Sequence, residues 1–488
     1  MNNNRKSSSI ILSLLWVFLE RTSVQSINLI VQILLARVLA PVQFGNLAVL
    51  IVFINISSIF IQKGFSVSLI RKKSVDELDL NSAFWTSLFV AVIIYMAFFA
   101  AAPFVASIYK TPVLSGGLRI ISLTILLSSL YCVQNAILIR NMKFRIIFVR
   151  GLISAVFSGG LGIIMAYRGL GLWALVAQNV SHQLLLCVIV WGKTRWKPRF
   201  QFSLKRLKEI FEFGGKLLLS EIVVYSIESL RPLLIGKKYS AEALSYYDRG
   251  HTYPAYLMQT IYTALSNVFL PFFSKKQDET ERLAALVEKI VSVTFFITTP
   301  LLVGITAISK PLVSLLLTDK WLACVPYLII FCIYQIPYPI QGIARQVLYA
   351  KGKSDYVLYS EIFKGTLVIA LLLIFLNRGV YLIALSSLIS SAVSAVINLA
   401  LIKIILPVGI GRIIKSMALT SLHCGIMYVP VWACGLLELN SLSTLSIQVL
   451  VGLSVYCLSA AALKDENLKV TLGLITGFLK THILKKKN

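Results

Sequence analysis

The side chains best able to do chemistry lie where charge is least expected. Glu20, Arg21, Arg119, Arg150, His182, Glu221, Glu228, Arg231, Arg345, Glu361 and Lys364 all fall inside long apolar stretches. In hydrocarbon a charged side chain is costly unless it faces protein or water, so such residues mark a solute pathway or pair to hold helices together. Arg21, Gln25, Asn28 and Gln32 recur at i, i+4, i+7 and i+11, which is one face of an α-helix. Leu14, Leu15, Phe18, Leu29, Ile30, Ile33 and Leu34 cover its other faces, so the stripe predicts a helix between lipid and a polar cavity. Two hundred residues on, Glu221, Tyr225, Glu228 and Arg231 line one face of 212–235 in the same manner. Glu228 with Arg231, and Glu361 with Lys364, are spaced i, i+3 for local ion pairs.

Catalytic sets are much weaker. Gly352-Lys353-Ser354 has the ending of a phosphate-binding loop, but Val347 stands where the motif needs its first glycine. Asp76-Glu77 with Asp79 is a single acidic cluster, whereas holding Mg²⁺ on a diphosphate would need a second; it is expected to be a solvated loop. The seven cysteines and four histidines form no C-x-x-C or H-x-x-x-H spacing, so cysteines are expected as packing residues and no metal or cofactor is expected. No Ser/His/Asp set assembles, and the chain is not expected to be an enzyme.

The elements that must position these residues follow from composition. Of 488 residues, 57% are hydrophobic and only 14% charged, against about 25% charged in soluble domains. The mean hydropathy of +0.82 agrees with a polytopic membrane protein. Its net charge of +27 sits in short basic clusters between apolar spans, where it acts on topology and anionic headgroups rather than on nucleic acid. At about 20 residues per crossing, the chain reads as about 14 transmembrane helices. These are 11–37, 44–69, 82–108, 113–139, 146–167, 170–192, 212–236, 241–272, 285–309, 322–346, 355–377, 379–404, 413–436 and 442–463. The fold class is therefore all-α, because the spans are too long and too unbroken for a barrel. Placing the N-terminus in the cytoplasm puts about 29 Lys and Arg inside and about 7 outside, with both termini cytoplasmic. Met1–Ser9 lacks a cleavage pattern, so the first helix is expected to stay in the mature protein. Lys193–Phe211 is expected to form a short amphipathic surface helix through Phe202, Leu204, Leu207, Ile210 and Phe211, and the tail from Asp465 a similar one. The recurrence of the polar helix face predicts two related halves, as in many transporters.

Leu35-Ala36-Arg37-Val38-Leu39-Ala40-Pro41-Val42-Gln43-Phe44-Gly45 resembles the end of the first helix in bacterial polysaccharide exporters. These are the Wzx-type flippases of lipid-linked oligosaccharides, within the multidrug/oligosaccharidyl-lipid/polysaccharide (MOP) exporter superfamily. The likeness continues in Lys63-Gly64-Phe65 through Leu69-Ile70-Arg71 and in Asn81-Ser82-Ala83-Phe84-Trp85. It returns in Phe269-Leu270-Pro271-Phe272-Phe273-Ser274-Lys275-Lys276-Gln277-Asp278, then Glu281-Arg282-Leu283. Pro311-Leu312-Val313 leading to Asp319-Lys320-Trp321 and Pro326 completes it. Together these cover about residues 10 to 405, most like the colanic-acid and teichuronic-acid branch.

The resemblance implies a V-shaped pair of six-helix bundles around a central cavity, 1–205 and 206–405, with two extra helices and a basic tail in 406–488. It implies that an oligosaccharide on undecaprenyl diphosphate is turned across the bacterial inner membrane by alternating access, for O-antigen, capsule or exopolysaccharide. On that reading Arg21, Arg231 and Arg345 engage the diphosphate, while Gln25, Asn28, Gln32 and Tyr225 shape the sugar path. Glu221 and Glu228, with Glu361 and Lys364, bind a coupling cation or hold the arginines in place. The partners implied are the lipid-linked oligosaccharide, membrane lipids, and polymerase and chain-length machinery. Two other readings stay open: a cation-coupled drug antiporter of the same superfamily, and a membrane glycosyltransferase or polymerase.

Overall fold

The computed structural model describes residues 22–72, 74–275, 279–437, 440–473 and 476. Every regular element among them is helical, as runs of apolar residues without water must be, since only a helix satisfies its own backbone. The helices are α1 (Thr22–Val38), α2 (Pro41–Ile59), α3 (Val67–Arg71), α4 (Glu77–Ile108), α5 (Val113–Ile121) and α6 (Leu123–Arg140). They continue as α7 (Phe144–Tyr167), α8 (Leu172–Lys193), α9 (Leu204–Lys238), α10 (Ala241–Lys275), α11 (Thr280–Ala307) and α12 (Ser309–Leu317). The last are α13 (Val325–Gln335), α14 (Tyr338–Ala350), α15 (Ser354–Phe375), α16 (Val380–Ile405), α17 (Ile410–Cys434) and α18 (Ser441–Ala462). Among the described residues, 11 helical stretches are long and apolar enough to cross a membrane. The longer helices outside these stretches are α1, α9 and α10; α3 and α12 are short.

The chain divides into two compact units, at Ser245 and Tyr246. In the first, α7 and α8 form a close hairpin turned at Gly169 and Gly171, both at positive φ. Small residues line α7: Gly151, Ala155, Gly159 and Gly162. A Cβ at Gly159 would sit 2.4 Å from a Val31 methyl, so glycine is what lets α1 lie against α7. The α2 helix opens on Pro41 and runs into a π-helical turn at Phe60–Ser66 before α3. The core here is Ile61, Leu69, Phe84, Ile125 and Val133, while Phe89, Ile93, Met96 and Phe104 point outward from α4 as a lipid-facing helix requires.

Two expectations are corrected in this unit. The acidic cluster is solvated only in part: Asp76 and Glu77 are exposed, but Asp79 is buried. Asp76 caps α4 by accepting from the Asp79 amide at 2.7 Å, and Asp79 accepts from the Asp76 amide at 3.2 Å. The Asp79 carboxylate is 1% exposed and holds Lys72 at 2.8 Å. Nor is there a separate amphipathic helix at 202–211. Residues 194–203 are irregular, and α9 then runs unbroken from Leu204 through the whole span. The Ser203 side chain caps its start, and no proline interrupts it before Pro232, so the amphipathic segment and the apolar span propagate as one helix.

The second unit has α14 and α13 against α16 and α17 against α11 and α18. A buried serine stripe on α16 (Ser386, Ser387, Ser390, Ser391 and Ser394) permits this approach, with Ser391 donating to the Tyr334 carbonyl at 2.8 Å. Phe273, Leu283, Val287, Val291, Ile340, Ile343 and Val347 build its core. The expected spans 113–139 and 322–346 are each jointed, the latter at a 3-10 turn (Asp319–Cys324) and again before Tyr338. All seven cysteines are free, five of them buried.

Candidate functional site

In the first unit α9 packs along α2, the π-helical turn and α4. Tyr225 is half-buried there, and its hydroxyl accepts from the Asn55 amide of α2 at 2.7 Å. Arg231 stands inside α9, one residue before Pro232. Its Nε and Nη2 are buried and have no hydrogen-bond partner among the described residues. Helix-interior arginines are normally matched by a carboxylate or carbonyls, and the described residues supply neither to these two donors. No Arg231–Glu228 ion pair is present among the described residues; Glu228 is exposed, whereas two of the Arg231 donors are buried. Gln25, Asn28, Gln32 and Glu221 are half-buried on their helices. Arg21 and Glu20 lie outside the described residues.

In the second unit Arg345 of α14 donates to Glu361 of α15 at 2.6 Å. This corrects the expected Glu361–Lys364 pair. The guanidinium reaches the carboxylate from the neighbouring helix, leaving half-buried Lys364 with no ion pair among the described residues. Tyr262 lies across α14, where a Cβ on Gly342 would be 2.1 Å from its ring. Its hydroxyl donates to the Gly342 carbonyl at 3.3 Å and accepts from Gln346 at 3.1 Å. Arg345 is therefore held in a polar layer of Tyr262, Gln346 and Glu361.

Several polar contacts escaped sequence reasoning. Arg150 is tied to Asn135 at 2.8 Å and lies over the Tyr131 ring, joining α7 to α6. His182 Nδ1 stands 3.4 Å from the Ser158 hydroxyl. His423 of α17 and Asp465, just beyond α18, meet at 3.3 Å with 0% and 2% side-chain exposure. Asn55 was legible as a lone amide within Ile51–Ile56. The His423–Asp465 pair spans 42 positions, and no periodicity connects its members.

What this scaffold is built for is narrowed by its likeness to other proteins. The family described as polysaccharide biosynthesis protein matches residues 34–326, more than half of the chain. The chain belongs to that family. Among its relatives is the succinoglycan biosynthesis transport protein ExoT of Rhizobium meliloti (strain 1021), 25% identical over 64% of this chain. The match spans 63% of that relative's own length. Among solved structures, the lipid II flippase MurJ in an inward closed conformation aligns at TM-score 0.76 and 16% identity, covering 93% of this chain and 98% of that one. An inward-facing multidrug resistance MATE transporter of the MOP superfamily aligns at 0.62 and 14%, over 80% and 98%. The family member described here therefore has the fold shared by those membrane proteins.

Proposed function

We propose that the protein is a flippase that carries undecaprenyl-diphosphate-linked oligosaccharide units across the bacterial inner membrane for surface polysaccharide assembly. The observation that carries this reading is Arg231 of α9, whose Nε and Nη2 are buried and unmatched by the described residues. A diphosphate cannot cross hydrocarbon without such partners, and an arginine fork matches its oxygens. Arg21 is a second diphosphate ligand in this proposal. Gln25, Asn28, Gln32 and Tyr225 supply hydrogen bonds to sugar hydroxyls. Arg345 contributes when its bond to Glu361 is exchanged, and Glu221, Glu228 and Lys364 set the charge balance. The chain crosses 14 times, with α1, α9 and α10 added to the eleven apolar spans, and both termini face the cytoplasm. Transport proceeds by alternating access of the halves, and the released unit passes to a polymerase and its chain-length machinery.

Deleting the gene tests the reading. Lipid-linked oligosaccharide should accumulate on the cytoplasmic side, as read by mass spectrometry and by lipid sidedness in spheroplasts. If intermediates reach the outer face and only polymer is lost, the protein acts after translocation and the proposal fails.

A further inference from the structure

At the far ends of α2, α4 and α9 the first unit contains a cavity of about 390 Å3, within the roughly 300–1,000 Å3 of small-molecule sites. Asn46, Tyr109, Lys110, Thr111, Lys237 and Lys238 line it. The three lysines are exposed and make no ion pair among the described residues. Among the described residues no carboxylate lines the cavity; Glu242, next along the chain, is exposed and outside the lining. Asn46 is only 4% exposed and makes no side-chain hydrogen bond among the described residues, so a buried amide opens onto the cavity without an internal partner. Buried amides are almost always matched, by protein, by water or by a ligand.

The walls are built rather than incidental. The Tyr109 hydroxyl donates to the Leu233 carbonyl at 3.1 Å, joining α4 to α9. The backbone at Gly45 approaches the start of α10 so closely that a Cβ would lie 1.6 Å from the Ala241 carbonyl oxygen. A Cβ at Gly236 would meet Leu244, Tyr109 and Val49 within 3.2 Å. The α4 helix ends in a Schellman turn, Thr111 N to Ala106 O at 3.0 Å and Lys110 N to Ser107 O at 3.2 Å. That turn sets Lys110, not a glycine, in the left-handed region.

Charge placement gives the cavity its meaning. With the orientation proposed above, only about seven Lys and Arg face outward, and three of them converge on this one cavity. Topology rules deplete outward basic residues, so this concentration has a local purpose. We infer that the cavity is an anion site on the outward face for a hydroxyl-bearing oxyanion, an acidic sugar residue of the transported glycan. The three ammonium groups neutralise its carboxylate or phosphate, and the Asn46 amide takes a ring hydroxyl. A phospholipid headgroup phosphate offers the same chemistry from a second source. The inference rests on the flippase reading for its ligand and on the outward orientation for its side.

The test uses the full-length protein in phosphatidylcholine nanodiscs and lysine acylation read by mass spectrometry. A glucuronic-acid-containing disaccharide should protect Lys110, Lys237 and Lys238, with exposed Lys310 and Lys320 as internal controls. Its neutral glucose counterpart should protect none, and salt should weaken the effect. The triple variant Lys110→Gln/Lys237→Gln/Lys238→Gln should bind at least about tenfold more weakly, since each ammonium contributes a charge-assisted hydrogen bond. The triple arginine variant should retain binding, separating charge from folding. Protection that appears only in phosphatidylglycerol discs, and is indifferent to disaccharide, assigns the site to lipid and overturns the sugar ligand. Equal protection of Lys310 and Lys320, or none by any anion, overturns the site. An impermeant acylating reagent on spheroplasts reads orientation separately: if the three lysines react only after the cells are opened, the outward placement falls whatever the binding result.

Discussion

Arg231 and Arg345 are both arginines inside apolar helices, yet their surroundings assign them different work. Arg345 is matched by Glu361, so removing the carboxylate leaves a half-buried guanidinium alone. Glu361→Ala should lower stability by about 1–2 kcal/mol, less than the loss for a fully buried pair because both groups keep some solvent. Detergent-resisted unfolding followed by circular dichroism would measure it. Arg231 has no such partner among the described residues, so Arg231→Ala should change stability by less than about 1 kcal/mol. Transport of lipid-linked oligosaccharide by that variant should nevertheless fall at least tenfold, roughly the value of one charge-assisted hydrogen bond. Full transport in an Arg21→Ala/Arg231→Ala double variant at normal protein level would remove both residues from the site. Asn55→Leu isolates the Tyr225 hydrogen bond and should cost about 0.6 kcal/mol, the typical worth of such bonds between membrane helices.

At the scale of elements, the connector between α8 and α9 is the segment most altered from its expected form. Arg199 and Ser203 donate their backbone amides to Asn81 and Ser82 at 2.8 and 3.0 Å. Trp85 donates to the Arg199 carbonyl at 2.8 Å, and Arg206 reaches Asp76 at 3.0 Å. The connector is thus strapped to the start of α4, and α9 inherits its position from that strap. Asp79→Ala should raise deuterium exchange across 194–203 severalfold, without disturbing α16 or α17. The Asp79 amide, together with Arg206 and Lys72, holds the Asp76 carboxyl below its usual range despite some burial. A depressed carboxyl contributes stability fully above its unfolded pKa, about 3.9, and loses it as pH falls through the lower folded value. Below about pH 4 the wild-type thermal midpoint should therefore drop more steeply than that of Asp76→Asn, measured in detergent by intrinsic fluorescence.

At the scale of the whole molecule, the proposed even number of crossings requires both ends on one side. Reporters fused at Met1 and at Asn488 should both read as cytoplasmic; opposite readings would remove one crossing. The membrane class and the helical architecture were legible because hydrophobicity is a local, additive property, and α7, α8 and α16 keep nearly their expected limits. Helical periodicity marks Tyr225 and Arg231 as polar positions of α9, but it does not give the Tyr225 partner, Asn55 of α2. Where sequence reasoning failed, the choice lay between neighbours on one helix and partners on another. Glu361 has Lys364 at i+3 and Arg345 sixteen residues away, and spacing favours the first while packing delivers the second. The acidic cluster at Asp76 reads as solvent-facing until Lys72 and Arg206 are brought against it.

The sequence by itself determined a many-helix membrane protein and its likeness to polysaccharide exporters, because each depends on residue order over short windows. Only the tertiary structure decided which charges are satisfied and which are not. Satisfaction is a property of distance between helices, and the three lysines around Asn46 come from segments more than 120 positions apart. No linear pattern carries that information, because the cavity exists only once α2, α4 and α9 have packed.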